Sequence, residues 1–240
     1  MGAIVRYSAL RKAVLDANFE LYESGLVIST FGNVSAIDRQ DGVIAIKPSG
    51  VSYKSMNTSD IVVTDLDGNI VDGEMRPSSD LDTHIELYKS FKDIGAVVHT
   101  HSFYATAWAQ SGCAIPAMGT THADYFNGTI PVTRQLTDAE IRDDYVRNTG
   151  KVIAEALGNN DPLAIPAVLV NDHGPFCWGV DAADAVHNAE MLEAVARIAF
   201  HSRQISQESP EISSALLDRH FQRKHGTLAT YGQPARSKQV

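Results

Sequence analysis

Ala96-Val97-Val98-His99-Thr100-His101-Ser102 is the stretch from which the fold is read. A short apolar run ending in His-x-His predicts a buried strand that emerges into a site, because strand side chains alternate faces and residues i and i+2 share one. His99 and His101 then point the same way. Neutral imidazoles suit a borderline cation such as zinc, and a pair on a stiff strand loses little entropy when a metal arrives. Two satisfied histidines at a strand end would look the same, so the neighbours of the motif decide its meaning.

A third histidine follows the apolar run Ala167 to Val170, in Asn171-Asp172-His173-Gly174-Pro175. Gly and Pro directly after it predict a turn, which places His173 at a strand end as well. Three such histidines leave one metal position open, the arrangement of a catalytic zinc rather than a closed structural one. Asp80, in Arg76-Pro77-Ser78-Ser79-Asp80, offers a carboxylate as a fourth ligand or as a base; it also suits the positive end of a helix. Ile46-Lys47-Pro48-Ser49-Gly50 and Pro77-Ser78-Ser79 set hydroxyls beside turns, and Ser78-Ser79 falls where free backbone N–H groups at a helix start can meet an anion. Gly32-Asn33 adds a turn with an amide. Each of these is singly no more than a polar turn.

Outward from these motifs, helical spacing of Leu10, Val14, Ala17 and Leu21 with Gly25 as cap predicts a helix over 8–24. Strands are expected at 31–37 and 43–46, then at 61–65 and 70–71, joined through Asp41-Gly42 and Asp67-Gly68-Asn69. Ser79 with Asp82 reads as a loose capping box for the next helix, and Ser102 opens a helix through Ala109. Thr137-Asp138-Ala139-Glu140 is a capping box, with a second helix expected after Gly150 through Val152, Ile153 and Leu157. A long helix is predicted from about 182 to 203, and a last one with Pro210 at its first position and Gly226 just past its end. Hairpins interleaved with helices predict an α/β fold with a mixed sheet flanked by helices, not a doubly wound parallel one.

The 240 residues, 44% hydrophobic and 20% charged, fit one domain over 1–240. A net charge of −9 and a pI near 5.4 argue against general nucleic-acid binding, for lack of a basic stripe to displace counterions. Charges scattered through residues 1–20 argue against a signal peptide or a membrane span there, and no later stretch is apolar enough to cross a bilayer. Cys113 and Cys177 form no CxxC pattern, so reduced thiols and a cytoplasmic setting are expected. Neither GxxxxGK[ST] nor GxGxxG occurs, which leaves nucleotide hydrolysis and dinucleotide redox chemistry unsupported; HExxH is missing too, so a zincin-type hydrolase is the weakest reading.

Phe31-Gly32-Asn33-Val34-Ser35, Ile46-Lys47-Pro48-Ser49-Gly50-Val51, Pro77-Ser78-Ser79-Asp80, Val98-His99-Thr100-His101-Ser102, Gly119-Thr120-Thr121-His122-Ala123-Asp124-Tyr125-Phe126, His173-Gly174-Pro175-Phe176, Arg223-Lys224-His225-Gly226 and Tyr231-Gly232-Gln233 together resemble the L-ribulose-5-phosphate 4-epimerase family, within the class II aldolase and adducin-like fold. The resemblance runs in the same order from the first helix to residue 233. It implies a three-layer, mainly antiparallel sheet flanked by helices and a cyclic homotetramer. It implies zinc held by His99, His101 and His173 with Asp80 close by. Asn33, Lys47, Ser49, Gly50, Ser78 and Ser79 would then hold the substrate phosphate and neighbouring hydroxyls. Asp124 would be one acid/base and Tyr231, on a 227–240 tail reaching from an adjacent subunit, the other; His220 is a weaker candidate.

That chemistry is coherent. C4 of a 2-ketose is not adjacent to the carbonyl, so plain proton abstraction there has no electron sink. Without a redox cofactor the remaining route is retro-aldol cleavage of C3–C4, rotation of the aldehyde fragment and re-addition, with a divalent ion neutralising the enediolate. An aldolase cleaving a ketose 1-phosphate is the nearest alternative; such aldolases resemble this chain but have a glutamate base where Asp80 stands. A non-catalytic adducin-like scaffold is the alternative from another class.

Overall fold

The computed structural model describes residues 7–227 and 229–230, so Tyr231 and the rest of the expected tail lie outside the described residues. Helix α1 (Ser8–Glu23) buries Val14, Ala17 and Leu21, the stripe that their spacing dictates. The hairpin signals produce a meander of β1 (Asn33–Asp38), β2 (Val43–Ile46), β3 (Val62–Asp65) and β4 (Ile70–Asp72). Helix α2 (Leu81–Ser90) then carries the chain back, so that β5 (Ala96–His99) pairs with β1. After α3 (Phe103–Gln110), the single turn α4 (Thr120–Ala123) and α5 (Asp138–Leu157), the hairpin of β6 (Ala167–Leu169) and β7 (Pro175–Gly179) completes the sheet. Helices α6 (Ala182–Ile205) and α7 (Ser214–His225) follow.

The sheet order is β4-β3-β2-β1-β5-β7-β6. Every ladder between named strands is antiparallel, and the parallel component of the expected mixed sheet is confined to an isolated bridge between Val132 and Leu169. Strand alternation divides the apolar residues between two faces. Ala96 and Val98 join Val34, Ala36 and Cys177 beneath α1 and α6, whereas Val97 joins Ile44, Phe176 and Trp178 beneath α2 and α5. His99 belongs to the second face, stacked on Phe176 of the adjoining strand with ring centroids 4.2 Å apart. Within α3, the N–H groups of Tyr104 and Ala105 donate to the Glu193 carboxylate of α6 at 2.8 and 2.9 Å. That anion satisfies donors that a helix start leaves orphaned and fixes the segment just after His101; the Ser102 side chain makes no cap bond.

Three boundaries differ from the sequence expectation. The break in α5 lies at Asp144 (φ −144°, ψ 74°), not at Gly150, which sits inside the helix. Gly150 serves a close crossing instead: a Cβ there would stand 2.5 Å from Glu86 Cβ and 3.1 Å from Thr83 O of α2. The last helix starts at Ser214, capped by Ser213, because Ile212 N donates to Ala117 O at 2.7 Å and draws the segment after Pro210 away from helical geometry. At α2 the N-cap is Asp80 rather than Ser79, and its carboxylate makes no cap bond. Cys113 and Cys177 are both free, and among the described residues no helix is long and apolar enough to cross a membrane.

The Gly150 crossing gives a test in which two effects oppose. Alanine gains about 1 kcal/mol of helix propensity, but overpacking against backbone and Cβ atoms costs about 1–3 kcal/mol. Gly150→Ala is therefore expected to lower the urea midpoint of unfolding, and an increase would show that α2 and α5 separate at little cost.

Candidate functional site

The cleft is built on the ends of three strands. Asn33 opposes His99 across β1 and β5, and His99 opposes Phe176 across β5 and β7. Two residues on, His101 returns to the same face, with its Nε2 3.1 Å from that of His99. At this spacing one imidazole donates to the other, or both face a shared cation. His99 Nδ1 lies 2.9 Å from Pro175 O. A carbonyl only accepts, so the proton sits on Nδ1 and the Nε2 lone pair is free.

His173 arrives on the β6–β7 turn. Asp172 just before it takes the left-handed conformation (φ 60°), which aspartate tolerates better than most residues. Gly174 lets the turn approach the His-x-His segment, since a Cβ there would stand 2.9 Å from Thr100 O. The three imidazoles offer ligand atoms all within 4.8 Å of one another and can hold a metal ion. Burial, then the neighbouring His99 and His101 rings, push His173 down to about 4, and burial with His99 also lowers His101. Both therefore stay neutral at ordinary pH, the state that offers a lone pair to a metal.

Asp80 completes this end of the cleft. Its carboxylate accepts from Asn33 Nδ2 at 2.7 Å, and the same amide donates to Ser78 Oγ at 3.1 Å. Asn33 Oδ1 is buried without a hydrogen-bond partner, leaving an acceptor for whatever occupies the cleft. An imidazole triad with one proton fixed outward, a nearby carboxylate and an unused buried amide oxygen make a donor set that fits a divalent cation and an oxygen-rich ligand.

Lys47 is 2% exposed, its Nζ over the Tyr53 ring and near Thr30 O and Pro48 O. Burial lowers its pKa, with Asp80 acting in the opposite sense. The bridge between Pro48 and Pro77 joins the two serine turns, so Ser49, Gly50, Ser78 and Ser79 line one cleft of about 500 Å³ with Asn33, Lys47, Asp80 and the triad. Tyr145 and Val146, which the sequence reading missed, line it too, as does Phe31, quoted in a sequence motif without a role. Phe31 stacks on His101. Tyr145 had no local motif; an aspartate, a poor interior helix residue, just before it was the available signal.

Asp124 is not among the residues lining this cleft. It ends α4, where Arg223 of α7 donates to both carboxylate oxygens at 3.1 and 2.9 Å and His220 lies 3.0 Å away. His225 Nε2 donates to Asp124 O at 2.8 Å. Burial alone would raise the Asp124 pKa, but the hydrogen bonds and charges of Arg223 and His220 outweigh it and hold the carboxyl below its ordinary range. His220, the weaker sequence candidate, thus stands with Asp124, and Arg223, quoted among the sequence motifs without a role, is a second partner.

Residues 12–200 match the family model described as class II aldolase and adducin N-terminal domain. The chain belongs to that family. Among solved structures of class II aldolase type, an L-fuculose 1-phosphate aldolase is 27% identical, with a TM-score of 0.77 over 91% of this chain and 97% of that one. L-Fuculose-1-phosphate aldolase from Thermus thermophilus is 24% identical (TM-score 0.66, 85% and 98% covered), and a sugar-phosphate aldolase from Thermotoga maritima is 19% identical (TM-score 0.62, 82% and 95% covered). The last two likenesses speak to the fold.

Buried imidazoles also make stability depend on pH. His84, fully buried on α2, is lowered to about 3, chiefly by burial. A histidine whose folded pKa lies below its unfolded value near 6.5 contributes stability at higher pH that is lost as pH falls toward the folded value. With chelator present, the unfolding free energy from urea titration is expected to fall steadily from about pH 6.5 to about pH 5, the part of the window that lies above most carboxylate titration. A flat profile across that window would contradict the burial of His84 and His173.

Proposed function

We propose that this chain is a zinc-dependent L-ribulose-5-phosphate 4-epimerase, interconverting L-ribulose 5-phosphate and D-xylulose 5-phosphate by opening and re-forming the C3–C4 bond. The observation that carries the reading is one cleft of sugar-phosphate size in which three imidazole donors meet a braced carboxylate, a lysine and two serine turns. His99, His101 and His173, with Asp80 beside them, would hold the zinc, which when bound supplies a Lewis acid for the negative charge that grows as C3–C4 parts. Lys47 with Ser49, Gly50, Ser78 and Ser79 grips the phosphate, so the two-carbon aldehyde fragment turns without leaving. Asn33 Oδ1 accepts from a sugar hydroxyl.

Proton transfer needs a group on each side of the rotating aldehyde: one takes the C4 hydroxyl proton, and the other delivers a proton to the opposite face. We assign these to Asp124 and Tyr231. Asp124 stands with α7 and outside the cleft of its own chain, which supports assigning it, with His220 and Arg223, to the cleft of an adjacent subunit. In the homotetramer that the family resemblance implies, such composite sites would lie at the subunit interfaces.

A second reading, ketose 1-phosphate aldolase, is favoured by the 27% identity to an L-fuculose 1-phosphate aldolase. What supports the epimerase is Asp80. Its carboxylate is short-armed and tied to Asn33 at 2.7 Å, poorly placed to stand free as a base over a substrate carbon. Incubation with L-ribulose 5-phosphate is expected to yield D-xylulose 5-phosphate with metal and nothing after chelator treatment. Net release of glycolaldehyde phosphate, or turnover of L-fuculose 1-phosphate alone, would select the aldolase.

The shared site has its own test. Asp124→Asn is expected to keep its metal and slow turnover about 100-fold or more, and His99→Asn to lose metal and activity together. Mixed after subunit exchange, the two variants are expected to regain activity, because some clefts then combine an intact triad with an intact Asp124. No recovery after exchange is verified would place Asp124 elsewhere in the reaction or outside it.

A further inference from the structure

We infer that Tyr145 is a positioning residue for the histidine triad: its hydroxyl accepts from His173 Nδ1 and leaves Nε2 of that ring to face His99 and His101. The three rings are held in different ways. His99 is fixed through Nδ1 by a backbone carbonyl, and His101 is stacked on Phe31. His173 stands on a turn, and its Nδ1 meets the Tyr145 hydroxyl at 3.3 Å, slightly longer than an ordinary hydrogen bond. A histidine ring has a broad, roughly two-fold torsion at χ2, so one such contact decides which nitrogen looks inward.

The backbone of α5 is shaped around that contact. The helix is interrupted at Asp144, whose carboxylate then accepts from Arg147 N at 3.3 Å as the cap of a second segment. Thr149 Oγ1 donates to Tyr145 O at 2.8 Å, so the residue is pinned from both sides. Interrupting a helix forfeits backbone bonds, and core packing does not repay it here, because Tyr145 remains 40% exposed. What the break achieves is to set a phenol on the wall of the cleft beside Val146, against the ring of His173.

The inference rests on the metal reading of the triad, and the experiment separates the two. In metal-free protein, long-range ¹⁵N–¹H NMR of the histidine rings is expected to show His173 protonated at Nδ1, and Tyr145→Phe, which keeps the ring and its packing, is expected to lose that preference. With Co²⁺ as the spectroscopic probe, Tyr145→Phe is expected to bind about 10–100-fold more weakly, the usual loss when a partner of a ligating histidine is removed. His173 protonated at Nε2 in the parent protein, or Tyr145→Phe with unchanged Co²⁺ affinity, would overturn the inference. A parent protein that takes up no Co²⁺ would instead sink the metal reading, and the metal-free measurement would still decide whether Tyr145 sets the ring.

Discussion

Asn33, His99 and Phe176 stand abreast on three adjoining antiparallel strands, and the cleft depends on that register. A slip of one residue in β5 would turn His99 into the apolar layer under α1 and α6 and bring Val98 to the cleft. The register is held from both directions. Trp178 is fully buried, and its Nε1 donates to Pro162 O at 2.8 Å. Asn188 of α6 donates to Trp178 O. On the other flank, Asn18 of α1 donates to Val34 O and accepts from Val34 N, an unusual pairing of a helix side chain with a strand backbone. Ordinary packing thus fixes the end of β5 before any ligand contributes.

Much of this was legible in the chain. The period-two pattern put His99 and His101 on one face, and the capping boxes and apolar stripes located most helices within a few residues. What escaped had physical causes. Strand β7 is Pro175-Phe176-Cys177-Trp178-Gly179, buried on both faces, so it has no alternation to betray it. Helix α4, at four residues, is too short to show a period. Gly150 looked like a helix boundary because glycine has poor propensity, but tertiary contact with Glu86 and Thr83 sets its role. Among the site residues, motifs marked the triad, Asp80 and the serine turns. The partnership of Asp124 with Arg223 joins residues 99 positions apart, and no local pattern carries such a pairing.

That carboxylate ties two elements together. As the common acceptor for Arg223 and His220 it docks α7 onto α4, an attachment supported by Phe221 as the one buried side chain of α7. A carboxylate so engaged is held in its ionised form, because both donors favour the charge.

Asp80 occupies a helix-start position yet turns its carboxylate toward Asn33 and away from the helix N–H groups. An ordinary cap contributes about 1 kcal/mol, so this choice leaves stability unclaimed in favour of the cleft. A thermostability screen read out by folding alone would have reason to rewrite this corner, enriching side chains that face back along α2. The hardier proteins so obtained would be those in which the Asn33 amide has lost its brace at the cleft.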